Sequence, residues 1–427
     1  MKMTTGQQIV WILLGLSLIA GTVSGAQIYY RLAYLWGILL GGSWLWSFLS
    51  LRGMLLRRTA RALRAQVGQI FEERYDIDNP GRMPRVWLTI RDESPLPGSQ
   101  GSRVYPLVEG RRGRSYVART RLTQRGVFPL GPTILESGDP FGLFPVSRTM
   151  PAEDSLLVFP MLFDVRTFPS PPGVMPGGEA LRRRTPQITP NAAGVREYGP
   201  GDPLSRIHWL SSARRDRLMS KEFELDPQAE VWIFLDAMAD VQSFVPYTPP
   251  MIEVENLRRM SSQIFLPPST EEYAVSIAAS LARYYLRQDR AVGFASAGQS
   301  VSVLPPDRSG RQLSKILEAL AILRAEGDLP LRGLVEIQAQ HLSRGSTVVF
   351  ITPSMHEDVA LAADYLLRRG LRPVAVLLDS ASFNGPTGTD QVVAMLNYLH
   401  IPVRKVKNGD DLEAALAETL TQPVWQG

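Results

Sequence analysis

The stretch 196–214 holds the densest set of side chains able to do chemistry. It reads REYGPGDPLSRIHWLSSAR and is followed, at 218–224, by LMSKEFE. Asp202 suits a helix N-cap and Pro203 suits the first helical position, so we predict a short helix that starts there and carries Arg206 and Trp209 along one side. The candidate site residues are Arg196, Tyr198, Asp202, Arg206, Trp209 and Arg214.

Two interpretations of these six residues are open. In the first, charge pairs and an aromatic bracket lock a linker onto the following domain, because a charged stretch beside a domain boundary often has a packing role. In the second, the six residues form a recognition surface for a protein partner, because Arg, Tyr and Trp dominate the energy of binding interfaces. Neither interpretation makes the stretch catalytic.

The sequence signatures of the common catalytic centres are absent. There are no cysteines, which excludes disulfides, zinc–thiolate sites, iron–sulfur clusters and a cysteine nucleophile. The histidines are scattered, so a helical pair of histidine metal ligands is excluded, and there is no phosphate-binding loop, G-x-G-x-x-G or G-x-S-x-G motif. We therefore expect a protein that is not an enzyme.

The positive charge is concentrated at the amino-terminal end. The whole chain has 46 basic and 41 acidic side chains, a net charge of +5. Residues 1–71 hold seven bases and no acid, so the remainder has 39 bases against 41 acids, a net charge of −2. This distribution argues against a basic groove, and we predict no nucleic-acid partner.

Two apolar runs begin the chain. Residues 8–26 and 33–51 contain no charge, and the link between them carries Arg31. Each run has 19 residues and would span roughly 28 Å as a helix, close to the hydrocarbon thickness of a bilayer. We predict a transmembrane helical hairpin over residues 1–52, with the lipid bilayer as a partner; a buried hairpin in a globular protein is the alternative.

Charge next to the second run predicts the orientation. Five arginines follow it within 13 residues, and positive charge beside a membrane span tends to stay in the cytoplasm. The prediction is a multi-pass cell-membrane protein with two helices and a cytoplasmic soluble body. If residues 24–26 were a signal-peptidase site, the second span alone would still leave residues from 52 onward in the cytoplasm.

The rest of the chain divides into three segments. Residues 53–160 alternate apolar and polar side chains between turns rich in Gly and Pro, which predicts a small β-sandwich-like module. Residues 161–229 combine a Pro-rich linker with the 196–214 stretch. Residues 230–427 alternate buried strands with amphipathic helices, which predicts a C-terminal doubly wound α/β domain. We predict strands at 231–235, 291–295, 347–351 and 373–378, an antiparallel edge strand at 301–304, and helices at 271–287, 311–323, 359–367 and 391–399.

The pattern R-E-Y-x-x-G-D-x-x-x-R-I-H-W-x-x-S-A-R resembles the signature of the bacterial domain-of-unknown-function family 58. The resemblance extends to RGVFPLGP at 125–132, to DPFGLF at 139–144 and to the apolar hairpin, so it covers most of the chain. It implies that the C-terminal α/β domain is von Willebrand factor A-like. It also implies a neighbourhood of MoxR-type AAA+ ATPases and transglutaminase-like membrane proteins, and such an ATPase is the implied partner.

A von Willebrand factor A-like domain commonly binds magnesium through D-x-S-x-S after its first strand, together with a threonine and an aspartate on other loops. Asp236 matches the first ligand, but Met238 replaces the first serine and Asp240 the second. A thioether is a poor ligand for a hard cation. Where working sites have Thr-Asp-Gly, this chain reads Thr352-Pro-Ser354. We therefore expect a vestigial metal site at Asp236 and Asp240, and no cofactor unless Mg²⁺ still binds there.

The function predicted from these features is that of a membrane-anchored cytoplasmic scaffold or adaptor. It would bind a protein partner, by resemblance a MoxR-type AAA+ ATPase, in envelope or secretion-related assembly. The alternative is a metal-dependent receptor or enzyme that uses the degenerate site at Asp236 and Asp240.

Overall fold

Three regions follow one another along the chain: two apolar helices, a sheet-rich middle region and an α/β region with a mixed sheet. The computed structural model describes residues 3–169, 192–199, 207–223, 230–247 and 266–417. The chain divides into two compact units, of which the first includes Met1–Met161 and the second begins at Leu162. The predicted order of the three regions is confirmed.

The two apolar helices, α1 (Thr5–Ser24) and α2 (Gln27–Ser50), form a hairpin. Thr4 caps α1 by accepting the N–H of Gln7 at 3.2 Å, and Gly25, with a φ of 66°, ends it. Their 20 and 24 residues correspond to about 30 Å and 36 Å of helix. Both helices are therefore long and apolar enough to cross a membrane.

The link between these helices is shorter than predicted. Since α2 already begins at Gln27, Arg31 lies inside α2 and not in the link, which corrects the sequence-based prediction. An arginine one turn from a helix end is tolerated in an apolar helix, because its long side chain can carry the charge back toward the polar end.

The sheet-rich middle region is built from ten short strands. They are β1 (Leu55–Ala60), β2 (Arg64–Gln66), β3 (Ile70–Asn79), β4 (Arg85–Asp92), β5 (Arg103–Val108), β6 (Arg112–Arg121), β7 (Gly126–Pro129), β8 (Thr133–Ser137), β9 (Val146–Met150) and β10 (Ser155–Phe159). The strand orders are β1-β3-β6, β5-β4-β8-β9 and β2-β10-β7. Tyr75 and Ile77 of the first sheet share one core with Leu88 and Ile90 of the second. The prediction of a β-rich module is confirmed, and the two sheets contribute to one hydrophobic core.

A buried arginine connects those two sheets. Arg58 on β1 donates to Glu73 on β3 at 2.7 Å and to Asp92 on β4 at 2.9 Å. Arg58 is 12% exposed and each carboxylate is 1% exposed. Burial alone would lower the pKa of Arg58, but the hydrogen bond and charge of Glu73 outweigh it and raise that pKa. Arg58 is therefore the counter-charge of two buried carboxylates.

A two-stranded sheet and a short helix lie between the middle and α/β regions in sequence. They are β11 (Ala192–Glu197), α3 (Trp209–Arg215) and β12 (Met219–Phe223), and the two strands pair antiparallel. The predicted helix start at Pro203 lies outside the described residues. The helix does not run continuously from there, however, because Ile207 is in a β-bridge and His208 is the N-cap. The prediction that one helix carries both Arg206 and Trp209 is wrong.

The α/β region holds six strands and six helices in its described part. They are β13 (Val231–Leu235), α4 (Thr270–Arg287), β14 (Val292–Ala297), β15 (Val301–Asp307), α5 (Gly310–Ile322), α6 (Leu331–Ala339), β16 (Thr347–Thr352), α7 (Asp358–Arg368), β17 (Arg372–Leu378), α8 (Thr389–Tyr398), β18 (Val403–Val406) and α9 (Leu412–Ala417). The sheet order is β15-β14-β13-β16-β17-β18, parallel except for β15, which is antiparallel at the edge. The four predicted buried strands and the antiparallel edge strand are confirmed.

Helices cover both faces of this sheet. On one face, Trp232 and Phe234 of β13 share a core with residues of α6, α7 and α8. Helix α4 packs against β13, β14, β16 and β17 but contributes no residue to that core, which places it on the other face. The four predicted helices are confirmed within two residues at each end. Helices α6 and α9 and strand β18 were not predicted.

We expect Arg58→Ala to destabilise the middle region by about 3–5 kcal/mol, because it leaves two buried carboxylates without their counter-charge. Urea titration of the full-length protein, with a hydrogen-exchange pulse read on β3 and β4, measures the loss. Arg61→Ala is the matched control, since Arg61 is 83% exposed in its pair with Glu72 and should cost less than about 1 kcal/mol. Equal effects of the two variants would contradict a structural role for the Arg58 set.

Candidate functional site

The strand order of the α/β sheet identifies one place where a ligand would be expected. Counting only the five parallel strands in chain order, the sequence across the sheet is 2-1-3-4-5. In doubly wound sheets of this order, ligands bind at the carboxyl ends of the strands where the order reverses. Here that point lies between β13 and β16, and Asp236 and Thr352 stand at those two strand ends.

Asp236 and Thr352 are hydrogen-bonded to each other. The Thr352 hydroxyl donates to Oδ2 of Asp236 at 2.6 Å, and the N–H of Met238 donates to Oδ1 at 3.2 Å. The backbone of Asp236 is anchored as well, since its N–H donates to the carbonyl of Ile351 at 2.9 Å. Both oxygens of this carboxylate therefore already have donors from the protein.

Neighbouring polar groups continue this arrangement, which we call the switch-point cluster (Asp236, Met238, Gln242, Thr352 and Ser354). The amide of Gln242 donates to the carbonyls of Asp236 and Met238, each at 3.2 Å. The N–H of Ser354 donates to the Thr352 hydroxyl at 2.9 Å. Burial raises the pKa of Asp236, and the hydrogen bonds from Thr352 and Met238 and the charge of His356 act in the opposite direction. The cluster is a satisfied internal network.

These groups do not fit a magnesium ion. Mg²⁺ requires near-octahedral oxygen ligation, usually with carboxylates that are free to face the ion. Asp236 is 4% exposed and its oxygens are engaged, whereas Asp240 lies exposed in a short 3₁₀ turn, Ala239–Val241. Within the described ranges, no three His, Cys, Asp or Glu side chains gather in a way that could hold a metal. The expectation of a degenerate site at Asp236 and Asp240 remains a prediction.

A second arrangement surrounds α3. His208 caps the helix, with its Nδ1 accepting the N–H of Ser211 at 3.1 Å. The His208 N–H donates to the carbonyl of Met219 at 2.8 Å, and the Met219 N–H donates to the Ser212 hydroxyl at 2.8 Å. These bonds tie α3 to β12, so the direction of the helix is fixed by backbone contacts on its inner side.

Exposed apolar and basic side chains lie on α3 and on the residue before β12. Trp209 is 68% exposed, Leu210 63% and Leu218 47%, and Arg214 and Arg215 are exposed in the last helical turn. We call these five residues the α3 patch. Large apolar side chains bordered by charge on a surface are typical of a protein interface.

The six residues predicted as a partner site are distributed as follows. Trp209 and Arg214 lie in the α3 patch, and the N–H of Tyr198 donates to the carbonyl of Leu218 at 2.9 Å, which holds β11 beside that patch. Arg196 lies in β11 opposite Ser220 of β12. The other two, Asp202 and Arg206, lie outside the described residues.

Sequence reasoning missed Leu210 and Gln242. Leu210 lies in the first turn of α3, which starts at Trp209. The only local signal for that start is His208, a less common N-cap than Ser, Thr, Asp or Asn. Gln242 follows a loop after β13, where hydropathy gives no indication of a role. The side-chain amide of Gln242 reaches the carbonyl of Asp236 because the turn after β13 brings the chain back toward that residue.

One family model matches this part of the chain. The model described as "Protein of unknown function DUF58" matches residues 194–244, which include α3, β12, β13 and Asp236. The uncharacterized protein YeaD of Bacillus subtilis (strain 168) is 26% identical over 235 residues, which are 54% of this chain and 51% of YeaD. The match thus spans about half the length of that curated relative.

Two solved structures show distant likenesses. The conserved hypothetical protein BatB from Bacteroides thetaiotaomicron is 10% identical, covers 44% of this chain and 95% of its own, and has a TM-score of 0.29. A CARDB domain in complex with di-metal ions from Pyrococcus furiosus is also 10% identical, covers 25% of this chain and 86% of its own, and has a TM-score of 0.18. Neither likeness carries an inference about fold or function.

We expect Asp236→Asn to remove a pH-dependent cost in stability. Because the pKa of Asp236 is raised in the folded chain, the unfolded chain loses this proton first as the pH rises above about 4, which subtracts stability from the wild type. Between about pH 4 and neutrality, the free energy of unfolding of the Asn variant should therefore rise relative to that of the wild type. Urea titrations across this range, read by a hydrogen-exchange pulse on β13 and β16, measure it.

Asp236→Ala is the control for the hydrogen bonds. It leaves the Thr352 hydroxyl and the Met238 N–H without their acceptor, which should cost about 1–3 kcal/mol at every pH. A pH-independent difference between Asp236→Asn and the wild type would contradict the raised pKa.

Proposed function

We propose that this protein is a membrane-anchored scaffold that binds another protein through the α3 patch. The observation that carries the proposal is the exposure of Trp209 and Leu210 on a helix whose position is fixed by His208 and Ser212. A rigid, exposed aromatic side chain loses little conformational freedom when a partner covers it, which favours binding.

The hairpin of α1 and α2 is the proposed anchor. Its helices match the thickness of a bilayer, and aromatic residues lie toward both ends, with Tyr29, Tyr30 and Tyr34 at one and Trp44 at the other. The arginines that follow α2 favour a cytoplasmic position for the rest of the chain. The protein would then be a two-helix membrane protein with a cytoplasmic body.

The α/β region is proposed to be von Willebrand factor A-like and to act in binding, without catalysis. The 2-1-3-4-5 order of its parallel strands, with Asp236 after β13 and Thr352 at the end of β16, supports this assignment. Since Asp236 and Thr352 are bonded to each other, partner binding through a metal at this position is disfavoured. The exposed surface of α3 is left as the best-supported docking site.

The proposed partner is a MoxR-type AAA+ ATPase, in envelope or secretion-related assembly. The α3 patch combines three large apolar side chains with Arg214 and Arg215, so it fits a partner surface with an apolar pocket and an acidic border. Beyond the sequence resemblance, this complementarity is the chemical criterion that a partner has to meet. A transglutaminase-like membrane protein is a further partner that the resemblance implies.

We expect Trp209→Ala to weaken binding of the full-length protein to such an ATPase by at least about 2 kcal/mol, on the order of 30-fold in dissociation constant. The reason is the loss of the central aromatic contact of the patch. Pull-down from detergent extracts followed by titration of the purified proteins measures the change. Stability should stay within about 0.5 kcal/mol, because Trp209 is mostly exposed.

The matched control is Tyr398→Ala. Tyr398 is 85% exposed at the end of α8. The variant therefore removes an exposed aromatic side chain that does not belong to the α3 patch. Binding should be unchanged. Equal weakening by both variants, or no association of the wild type with the ATPase, would remove the support for this function.

The cytoplasmic position of the body can be tested with thiol labelling, because the chain has no cysteine of its own. In right-side-out membrane vesicles, a membrane-impermeant maleimide should label Ser24→Cys, at the end of α1 beside the hairpin turn, and should reach Tyr398→Cys only after detergent is added. The reason is that the charge asymmetry places the turn outside and the body inside. Labelling of Tyr398→Cys in sealed vesicles would place the body outside and contradict the proposed topology.

A further inference from the structure

A rigid turn of the middle region lies at the open end of the helical hairpin. The turn Asp139–Phe144 is held by Asp139, which is fully buried and whose carboxylate accepts the N–H of Phe141 at 3.0 Å and of Phe144 at 2.7 Å. The indole of Trp87 donates to the Asp139 carbonyl at 3.0 Å. The backbone of this turn is therefore fixed from both sides.

The same turn is hydrogen-bonded to both helices of the hairpin. The hydroxyl of Thr4, the N-cap of α1, donates to the carbonyl of Leu143 at 3.0 Å. The hydroxyl of Ser47, in the last turn of α2, donates to the carbonyl of Phe144. Leu143 and Phe144 are buried in one apolar cluster with Val10 of α1. The turn is thus docked where α1 begins and α2 ends.

The tip of the turn is apolar and exposed. Phe141 is 67% exposed, although the two apolar residues that follow Gly142, Leu143 and Phe144, are at most 8% exposed. Two residues of chain reach at most about 7 Å, so the Cα of Phe141 lies within that distance of the Cα of Leu143 and hence close to the hairpin end. Among the residues that the structure describes, no packing covers the ring of Phe141.

The neighbouring end of α2 has the composition of a membrane interface. Trp44 is 57% exposed and Phe48 is 55% exposed, with ring centroids 5.9 Å apart. The guanidinium of Arg52 lies 5.5 Å from the centroid of the Phe48 ring. Exposed aromatic side chains followed by a basic residue are typical of the boundary between acyl chains and headgroups.

We propose that Phe141 inserts into the headgroup–acyl boundary of the bilayer, so that the Asp139–Phe144 turn is a second membrane contact besides the hairpin. This proposal rests on the proposed membrane position of α1 and α2. If the roughly 30 Å of α1 fills the hydrocarbon thickness, Thr4 and the Leu143 carbonyl that it binds lie at its edge. Phe141, within about 7 Å of Leu143, then falls inside the interfacial layer.

The chemistry of the surroundings favours lipid over a protein partner. The exposed side chains that share this end of the hairpin, Trp44, Phe48 and Phe141, lie on two different elements joined by the bonds of Thr4 and Ser47. Trp44 and Phe48 are four residues apart on α2 and so differ in depth by about 6 Å, which the interfacial layer of a bilayer can span, as expected for interfacial aromatic residues. The insertion would fix the tilt of the middle region against the membrane, since its β9 also contacts α2.

Depth-dependent quenching tests the proposal. The full-length protein is labelled with bimane at Phe141→Cys and placed in nanodiscs of phosphatidylcholine and phosphatidylglycerol, with or without lipids that carry a nitroxide on the acyl chain. Val104→Cys is the matched control, because Val104 is 62% exposed on β5, at the sheet edge opposite β9. We expect the label at Phe141 to be quenched at least about twofold more strongly than at Val104, since interfacial side chains reach roughly 5–10 Å into the boundary.

A third label separates this proposal from the proposed anchor. Ile38 is 74% exposed near the middle of α2, so Ile38→Cys reports whether the hairpin lies in lipid. Quenching at Ile38 and Phe141 supports both proposals. If Ile38 is quenched and Phe141 behaves like Val104, the membrane contact of the turn is wrong although the anchor holds. If Ile38 is not quenched, the membrane position of the hairpin is wrong and the proposal falls with it.

Discussion

The hydrogen bond between Asp236 and Thr352 limits what can bind at the carboxyl ends of the strands in the α/β region. A doubly wound sheet opens a crevice where its strand order reverses, and ligands commonly bind there. In this chain the crevice holds a buried carboxylate whose two oxygens accept donors from Thr352 and Met238. A ligand or cation would have to replace bonds that the protein already makes. We therefore propose that the region presents a surface to its partner and does not bind a ligand at the switch point.

The segment before the sheet carries exposed apolar side chains on a backbone held by hydrogen bonds. β11, α3 and β12 precede β13 directly in sequence, and the family match covers α3, β12 and β13 without a break. Their backbone bonds hold Trp209 and Leu210 in the open while Ile207 and Met219 are buried. The two interpretations of the 196–214 stretch are thus compatible, because Ile207 is buried while Trp209 and Leu210 of the same segment are exposed.

The sequence predicts the repetitive parts of the fold well and the polar contacts poorly. Strand β13 was predictable because burial on both faces leaves a continuous apolar run, and helix α4 because its buried stripe leaves a helical period. The start of α3 was not, since Asp202 and Pro203 are stronger local signals than His208, and the choice depends on the bond from His208 to Met219 of β12. Likewise, one oxygen of the Asp236 carboxylate accepts the hydroxyl of Thr352, 116 residues away in sequence. Spacing along one strand end carries no information about such a partner.

The two proposed contact surfaces share one physical design. In the Asp139–Phe144 turn a buried carboxylate accepts two backbone N–H groups, and in α3 the side chain of His208 accepts the N–H of Ser211. In both cases a polar side chain fixes the backbone directly beneath an exposed aromatic residue. Fixing the backbone in advance reduces the entropy lost when the aromatic side chain is covered, so a single ring can contribute usefully to binding. Each surface thus combines an interior hydrogen bond with an exterior apolar contact, and loss of the hydrogen bond should weaken the contact without removing the ring itself.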